Sequence, residues 1–467
     1  MSGDKDSSPN IFRLLQKPEY AMVLLLTVFG LAFVFVTPPA LVGDEPNHFF
    51  RAYQISEGIV IGEKRENLSG GWLPKSVLYT NRKLVGDIEM RHDVKFDKNL
   101  VAELRQLSLN AEDRVFERFP NTVVYTPIPY APQVLGILIG KIFNTSPLAM
   151  LYLARIFNLF FFICLAFAAI KKTPVHTWVF CLLCLTPTNV FQVASASVDA
   201  FTFGICFLAV AYFLFYAFGE NVETKNIDVA KLFALSLLAV LSKNAYIFLP
   251  LLFLLIPYRK IGTIRKFLIT FAALLIVCIV SVAAWTRAIK SIFLPYRIDI
   301  PINTDEQMRL ILAHPFLFTR LAVMDYVAKY DYYFVSFFGQ LTWLDLYVPT
   351  YLTIFIFVVL MIVSLSDKNP NISISKLNKT IFVSIILATM LLVSALLYIT
   401  WTPLDAPDIE GIQGRYFIPV APLFFLLFYN RKFAWKRFDK YVYLVVYATV
   451  FVSLAMTLHA IIKRYYI

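Results

Sequence analysis

Long apolar runs are the feature of this sequence that most constrains its fold. Eleven runs approach the roughly 20 residues that a helix needs to cross the hydrocarbon core of a bilayer. They lie near residues 20–37, 148–170, 175–191, 198–218, 229–242, 244–257, 267–287, 346–365, 380–400, 415–429 and 441–460. The sequence therefore predicts an all-α polytopic membrane protein.

The composition excludes a soluble globule. Apolar residues make up 59% of the 467-residue chain and charged residues only 16%, against about 45–50% and about 25% in soluble domains. The cysteines all lie in apolar runs, which excludes a disulfide framework; they are Cys164, Cys181, Cys184, Cys206 and Cys278. The Cys181–Cys184 pair also lacks the second pair that a zinc site would need.

Two stretches depart from simple membrane spans. The runs 229–242 and 244–257 are separated by Ser242-Lys243-Asn244, so they predict either two short helices or one broken element. The run from Tyr130 to Phe143 is too short to cross a bilayer and contains Lys141. It therefore favours an interfacial or re-entrant helix.

The basic residues lie mainly in alternate connecting segments. Because Lys and Arg of short loops stay on the cytoplasmic side, their pattern predicts a cytoplasmic N-terminus, and it leaves Lys463 and Arg464 outside as an exception. The net charge of +12 is then mainly a topological signal rather than a nucleic-acid footprint. The residues assigned to the inner side are Lys5, Arg13, Lys17, Lys171, Lys172, Lys225, Arg259, Lys260, Arg265, Lys266, Lys368, Lys376, Lys379, Arg431, Lys432, Lys436, Arg437 and Lys440.

This topology divides the chain into six parts. A cytoplasmic N-terminus (1–19) precedes the first membrane helix (20–37) and a large outer-face stretch, the first segment (38–147). A membrane bundle (148–287) leads to a second large outer-face stretch, the second segment (288–345). A C-terminal membrane bundle (346–467) completes the chain.

The start of the first segment carries closely spaced polar residues. Asp44 suits a helix N-cap and Pro46 a first helical turn, and helical spacing then places Asp44, His48 and Arg51 on one face. One interpretation is that Asp44 and Glu45 only cap the helix and complement its dipole. The other is that one carboxylate accepts a proton from an acceptor hydroxyl, while His48 and Arg51 orient that carboxylate or bind an anion.

Three further charged residues lie at predicted outer boundaries. Arg415 follows Gln413 and Gly414 and suits bidentate binding of phosphate, while Lys243 interrupts an apolar stretch, which marks a functional position in a membrane. Snorkelling to lipid headgroups is the alternative for both residues. Asp199 begins a span. Three roles are open for it: an N-cap of that helix, a counter-ion of Lys243 or Arg415, or a site residue.

The second segment ends in a dense aromatic stretch from Tyr326 to Tyr347. It contains Tyr333, Trp343 and Asp345. Aromatic belts at membrane interfaces account for such a stretch. Aromatic faces with interleaved polar groups also suit the binding of a sugar, and the two interpretations are compatible.

These motifs together resemble the bacterial membrane proteins of "domain of unknown function 2142", which in turn are similar to the C-type glycosyltransferase superfamily that uses polyprenyl-phosphate sugars. The resemblance covers nearly the whole chain. It rests on Pro38-Pro39, Asp44-Glu45-Pro46, His48 to Tyr53, Ser197-Val198-Asp199-Ala200, Ser242-Lys243, Gly339 with Trp343-Leu344-Asp345, and Gln413 to Pro419.

The resemblance implies a glycosyltransferase-C-like fold and an acidic catalytic residue in the first outer loop, which falls on Asp44 with Glu45 as the competing choice. It also implies a lipid-phosphate donor, which Arg415 and Lys243 would bind with Gln413 and Tyr416 beside them. The acidic metal-binding motif of the oligosaccharyltransferase branch is missing, so a divalent metal is doubtful and no cofactor is expected.

The resulting expectation is an inverting hexosyltransferase at the outer face of a bacterial inner membrane. It would move a hexose, glucose by preference, from undecaprenyl phosphate to a hydroxyl of a cell-surface glycan such as O-antigen. Asp199, Tyr333, Trp343 and Asp345 are the expected sugar-binding or acceptor-binding residues. A flippase of lipid-linked glycans, or a binding subunit without chemistry, remains the alternative.

Overall fold

The computed structural model describes residues 11–89, 91–219, 224–297, 300, 302–367, 369–430 and 436–467, with the backbone alone at residues 11 and 436–440. Four of the basic residues assigned to the inner side, Lys5, Lys368, Arg431 and Lys432, lie outside the described residues, as do the side chains of Lys436, Arg437 and Lys440.

The elements follow one another along the chain as helices with two small sheets. In order they are α1 (Ile11–Leu14), α2 (Pro18–Val36), α3 (Glu45–Ser56), β1 (Glu63–Arg65), β2 (Leu68–Pro74), α4 (Lys75–Val85), α5 (Asn99–Arg105), β3 (Arg114–Arg118), α6 (Pro120–Val123), a 3-10 helix (Ile128–Tyr130), α7 (Ala131–Ile142), α8 (Pro147–Lys172), α9 (Thr177–Cys184), α10 (Pro187–Val193), α11 (Asp199–Phe218), α12 (Asn226–Ser242), 3-10 helices (Asn244–Tyr246 and Leu249–Leu255), α13 (Tyr258–Ile261), α14 (Ile264–Ile289), α15 (Thr304–Ala313), α16 (Pro315–Ala328), α17 (Tyr330–Phe338), β4 (Gln340–Leu341), β5 (Leu346–Tyr347), α18 (Thr350–Ser366), α19 (Lys376–Thr400), a 3-10 helix (Gly414–Val420), α20 (Ala421–Leu426) and α21 (Lys436–Tyr465).

Within the described residues, six helices are long and apolar enough to cross a membrane: α2, α8, α11, α14, α19 and α21, the last over Tyr441–Tyr465. A seventh candidate is the pair α15 and α16, which are bent by 105° at a short break. The chain is therefore a mostly helical membrane protein, but the predicted count of eleven spans is not confirmed. The seventh candidate lies in the second segment, where no span was predicted.

The other five predicted spans correspond to shorter elements. Residues 175–191 form α9 and α10, which are separated at Thr186-Pro187 because proline cannot continue a helix through its missing N–H. Residues 229–257 form α12 followed by two 3-10 helices, so the polar turn at Lys243 does break the element. Residues 415–429 form a 3-10 helix with α20, and α18 has only 17 residues.

The all-α prediction is wrong for parts of the two segments. In the first segment β1, β2 and β3 form an antiparallel sheet, with Trp72 opposite Phe116. Glycine is required at position 70, because a Cβ there would lie 1.9 Å from the carbonyl oxygen of Glu117. In the second segment β4 and β5 form a short hairpin. Strands this short leave a weak periodic signal in a sequence.

Burial is uneven among the long helices. In the 18-residue apolar stretch of α11, 78% of the residues are buried within the protein. The corresponding shares are 17% in α14 and 28% in α19. Since hydrocarbon tails can cover apolar side chains as well as protein can, we assign α14 and α19 to the periphery of the bundle, in contact with lipid.

The helices α2 and α21 lie side by side and run in the same direction. The Tyr447 hydroxyl donates to the Leu15 carbonyl at 3.1 Å, and the Tyr466 hydroxyl donates to the Val36 carbonyl at 3.0 Å. The end of α21 thus lies on the same side of the bundle as the first segment. Arg464 there donates to Asp345 at 2.9 Å, so this basic exception to the loop pattern has a local acidic partner.

Candidate functional site

A cavity with a volume of about 430 Å³ lies where the first segment meets the bundle. Two hydrogen bonds join its walls: Thr126 donates to the Leu241 carbonyl at 2.7 Å, and Trp285 Nε1 donates to the Val124 carbonyl at 2.8 Å. Its polar wall is formed by Asp44, His48, Asn121, Lys243 and Tyr416, and its apolar wall includes Leu241, Ile289, Phe293, Val393, Leu396 and Leu397.

Four of the predicted charged residues meet beside this cavity. Arg415 lies 3.9 Å from both Asp44 and Asp199. Lys243 lies 3.8 Å from Asp199. These separations describe loose ion pairs rather than direct hydrogen bonds. Two carboxylates and two cations thus come together from the start of α3, the start of α11, the break after α12 and the 3-10 helix before α20.

Asp44 has an unusual backbone and an open carboxylate. Its φ of 63° is left-handed, a conformation that costs a residue other than glycine free energy and clusters at functional sites. Although Asp44 occupies the N-cap position of α3, its side chain makes no capping hydrogen bond. Its Oδ1 instead accepts from Asn121 Nδ2 at 2.9 Å.

The surroundings of Asp44 favour the protonated form. Removal from bulk water raises its pKa above the usual 3.8; the nearby Arg415 opposes this and Asp199 adds to it. A carboxylate with a raised pKa is a better proton acceptor near neutral pH. The environment of Asp44 therefore suits a general base.

Both cations lie near the aromatic ring of Tyr416, and one hydrogen-bond donor of Arg415 has no partner among the described residues. Lys243 Nζ lies 4.3 Å from the ring centroid of Tyr416, and the Arg415 guanidinium lies 5.7 Å from the same ring. Arg415 Nε is buried without a hydrogen-bond partner among the described residues. Buried donors of this kind indicate a missing partner, and an anion would supply one.

Close backbone packing fixes the position of Arg415. Gly414 N–H donates to Ser336 Oγ at 2.8 Å. A Cβ at Gly414 would lie 2.3 Å from the backbone of α17, at Tyr333 and Phe337. The glycine before Arg415 therefore allows the 3-10 helix to touch α17, which holds the guanidinium between Asp44 and Asp199.

His48 lines the cavity as a neutral side chain. Its Nδ1 lies 2.9 Å from the Tyr130 hydroxyl, and burial lowers its pKa to about 3. The imidazole is therefore uncharged at neutral pH. It can form hydrogen bonds with a ligand, but it does not contribute a positive charge.

Glu45 is placed away from the cavity. It is fully buried and accepts from Arg155 Nε at 2.7 Å and Arg155 Nη2 at 2.5 Å, while Ala196 N–H donates to it at 2.8 Å. Arg155 also donates to the carbonyls of Val34, Thr37 and Pro38 at the end of α2. Both oxygens of Glu45 are thus occupied in joining α3 to α2 and α8.

Arg51 is also turned away from the charged cluster. It donates to Gln54 at 2.6 Å, to the Val60 carbonyl at 2.6 Å and to the Tyr125 carbonyl at 3.1 Å. Tyr125 lines the cavity. Arg51 therefore holds the cavity wall rather than facing a ligand.

The remaining predicted residues are dispersed. Tyr333 donates to Asp325 within the second segment, and Asp345 binds Arg464. Gln413 directly precedes the 3-10 helix, and its Oε1 is buried without a partner among the described residues. Trp343 lines a second cavity, described below.

Several cavity residues carry no recognisable sequence signal. Asn121, Tyr125, Trp285, Tyr296 and Trp401 all line the cavity. Trp285 and Trp401 lie near the ends of apolar runs, where an interfacial belt is the ordinary interpretation. Asn121 follows Pro120 in the first segment, and only its hydrogen bond to Asp44 reveals its importance.

Within the part of the chain that the structure describes, no group of three or more His, Cys, Asp or Glu side chains could hold a metal ion. Cys181 and Cys184 are buried free thiols.

Comparison with known proteins gives a family and no closer relative. Neither a curated protein nor a solved structure matches the chain. A family model described as "Predicted membrane protein (DUF2142)" matches residues 26–424, which include Asp44, Asp199, Lys243 and Arg415. The chain belongs to this family of predicted membrane proteins.

Proposed function

We propose that the protein is an inverting membrane glycosyltransferase. It transfers a hexose, glucose by preference, from undecaprenyl phosphate to a hydroxyl of a cell-surface glycan such as O-antigen, at the outer face of a bacterial inner membrane. One observation carries the proposal: a single cavity holds the Asp44 carboxylate and Lys243, with Arg415 beside them, opposite an apolar wall that includes residues of the two least buried long helices.

The cations support an anionic phosphate ligand. Arg415 and Lys243 come from different elements, and both lie close to Asp199. Their nitrogen atoms are 3.8–3.9 Å from the nearest carboxylate oxygens, so these ion pairs are loose. A phosphate oxygen inserted between them would form charge-assisted hydrogen bonds, which are shorter and stronger than these ion pairs. The unpartnered Nε of Arg415 supplies a further donor.

The apolar wall supports a lipid chain on that phosphate. Ile289 comes from α14, and Val393, Leu396 and Leu397 come from α19. These two helices are the least buried of the six long ones. A polyprenyl tail would therefore remain among lipid-facing side chains while its phosphate reaches the cations.

The chemistry is a single displacement. The acceptor hydroxyl attacks the anomeric carbon, its proton passes to Asp44, and the bond from the anomeric carbon to the phosphate oxygen breaks. Polyprenyl phosphate leaves with the bonding electron pair, and Arg415 and Lys243 stabilise the negative charge that develops on it. Asn121 orients Asp44, while His48 and Arg51 hold the surrounding wall.

The resemblance to C-type glycosyltransferases adds support from a different direction. In that superfamily the catalytic acid residue is in the first outer loop, and Asp44 follows the first long helix of this chain. We accordingly propose a glycosyltransferase-C-like arrangement with the first segment on the outer face and no resident metal.

The test is sugar transfer by purified protein in detergent or vesicles. Radiolabelled hexose on undecaprenyl phosphate should appear in a glycan acceptor with inverted anomeric configuration. A protein that moves labelled lipid across vesicles without forming a glycosidic bond would instead be a flippase. A protein that does neither would refute the proposal.

A further inference from the structure

A second cavity adjoins the first and has not been assigned a role. Its volume is about 360 Å³, and it is bordered by α3, the end of α4, β3 and parts of the second segment. The lining residues are Pro46, Asn47, Phe50, Asn81, Arg82, Val85, Gly86, Glu89, Glu117, Tyr296 and Trp343. It therefore combines aromatic, amide and charged side chains in one open cleft.

Two buried polar atoms of residues in this lining lack hydrogen-bond partners among the described residues. Asn81 is 1% exposed, and its Nδ2 donates to the Val77 carbonyl at 2.9 Å. Its Oδ1 has no donor among the described residues, and neither does Trp343 Nε1 have an acceptor. Buried polar atoms are nearly always satisfied by protein or by a bound molecule. One acceptor and one donor beside the cavity thus have no protein partner among the described residues.

The charge of the cavity is unbalanced. Arg82 and Glu117 form an ion pair at 2.6 Å. Glu89 forms no hydrogen bond or ion pair with any described residue, and partial burial together with the charge of Asp44 raises its pKa. One unpaired carboxyl group disfavours anionic ligands and favours hydroxyl or amino groups.

The second cavity is connected to Asp44 through side chains. Tyr296 lines both cavities. Asn47 lines the second cavity, and its Nδ2 donates to Asn121 Oδ1 at 2.9 Å. Asn121 in turn donates to Asp44 at 2.9 Å. A ligand hydroxyl at the boundary between the cavities would therefore approach the carboxylate of Asp44.

We propose that the second cavity binds the acceptor sugar, and that this sugar is an uncharged or amino-bearing pyranose rather than a hexuronic acid. Trp343 packs against the apolar face of the ring, as aromatic side chains do in sugar sites. Asn81 and Glu89 accept from its hydroxyl or amino groups. This inference rests on the proposed transfer reaction, and it names the acceptor class of that reaction.

Direct binding tests the inference without a donor. Methyl β-glucoside, glucosamine and glucuronic acid are titrated by calorimetry into purified full-length protein. We expect the first two to bind and glucuronic acid to bind at least about tenfold more weakly, a difference of about 1.4 kcal/mol. Failure of both non-acidic sugars to bind, or equal binding of glucuronic acid, would overturn the inference.

Substitutions locate the binding. Trp343→Ala should abolish binding, and Glu89→Gln should weaken glucosamine binding and narrow the discrimination against glucuronic acid. Glu112→Gln is the matched control, because Glu112 is exposed in the same segment and does not line the cavity. Trp343→Phe guards against misfolding: it should keep most of the affinity, and thermal unfolding must match the wild type.

The outcome separates this inference from the proposed function. If sugars bind with the expected selectivity but no transfer occurs, the acceptor site stands and the transfer chemistry fails. If transfer occurs while Trp343→Ala and Glu89→Gln change neither sugar affinity nor the KM for acceptor, the transfer stands and this site is overturned.

Discussion

Asp44 and Glu45 are neighbours in the chain, yet their carboxylates lie in opposite kinds of surroundings. Glu45 is completely buried and forms bidentate hydrogen bonds with Arg155. Asp44 retains 33% of its side-chain surface and faces Arg415 across 3.9 Å. The Glu45–Arg155 pair is fully buried and hydrogen-bonded. The Asp44–Arg415 pair is looser: Asp44 lines the first cavity, and Arg415 Nε has no hydrogen-bond partner among the described residues.

The difference shows how a structural ion pair is distinguished from a ligand site. A buried pair avoids a large desolvation cost only when each lone pair has a donor, and Glu45 meets that condition. Asp44, Asp199, Lys243 and Arg415 do not, because their charged atoms lie 3.8–3.9 Å apart, beyond hydrogen-bond distance. A left-handed residue at position 44 turns the two adjacent side chains into these different environments.

The largest expected effect is on catalysis at Asp44. Asp44→Asn removes the proton acceptor and keeps the side-chain shape, so kcat should fall by about 10²–10⁴-fold. Steady-state transfer assays measure this loss. Asp305→Asn is the control, because Asp305 is exposed on α15 away from the cavity. Turnover at the wild-type rate in Asp44→Asn would remove Asp44 from the mechanism.

Glu45 should respond in the opposite way. Glu45→Gln leaves Arg155 buried with an uncompensated charge, which should lower the free energy of unfolding by about 3–5 kcal/mol. Thermal unfolding in detergent measures this, with the exposed Glu112→Gln as the control. Molecules that remain folded should keep their turnover. A stable Glu45→Gln protein without turnover would reverse the roles of the two carboxylates.

A smaller effect is expected at the phosphate-binding side of the cluster. Arg415→Gln removes charged hydrogen bonds worth about 1.5–3 kcal/mol, so the KM for the polyprenyl-phosphate donor should rise about tenfold to a hundredfold. The KM for the acceptor should change little. Arg105→Gln, at an exposed position in the first segment, is the control. An unchanged donor KM would place the phosphate elsewhere.

The smallest effect concerns pH. A general base acts in its ionised form, which predominates above its pKa, and the pKa of Asp44 is raised above 3.8. The acid limb of the pH profile of kcat/KM should therefore lie above pH 3.8. The hydrogen bond from Asn121 favours the ionised form, so Asn121→Ala should move that limb to higher pH. Movement to lower pH would contradict the role of Asn121.

The sequence predicts the membrane class and much of the charged cluster. A long apolar run indicates a helix that lies in lipid or in the protein interior rather than in water. Six of the predicted spans coincide with long helices. Asp44 and Asp199 were recognisable as polar residues at predicted helix starts, Arg415 as a phosphate-binding side chain at a span boundary, and Lys243 as an ionisable group that interrupts an apolar stretch. Eleven spans are not confirmed, because Pro187 and the turn at Lys243 divide apolar runs into short helices.

The rest depends on tertiary contacts that a single sequence does not show. Glu45 and Asp44 look equivalent in the sequence, and only the distant Arg155 separates their roles. Asp345 looked like a sugar ligand beside aromatic residues, but it binds Arg464 of the last helix. Asn121 and Tyr296 become site residues through contacts with Asp44 and Trp401.

The charged cluster also has a consequence for how the protein is made. Arg415 follows Asp44 by roughly 370 residues, which take about 20–70 s to synthesise at about 5–20 residues per second. Once residue 121 has been made, Asn121 can serve as the partner of the Asp44 carboxylate, whereas Arg415 has not yet been synthesised. Under the proposed function, each newly made copy therefore remains inactive until Arg415 has been made and placed, so that incomplete chains do not consume the lipid-linked sugar.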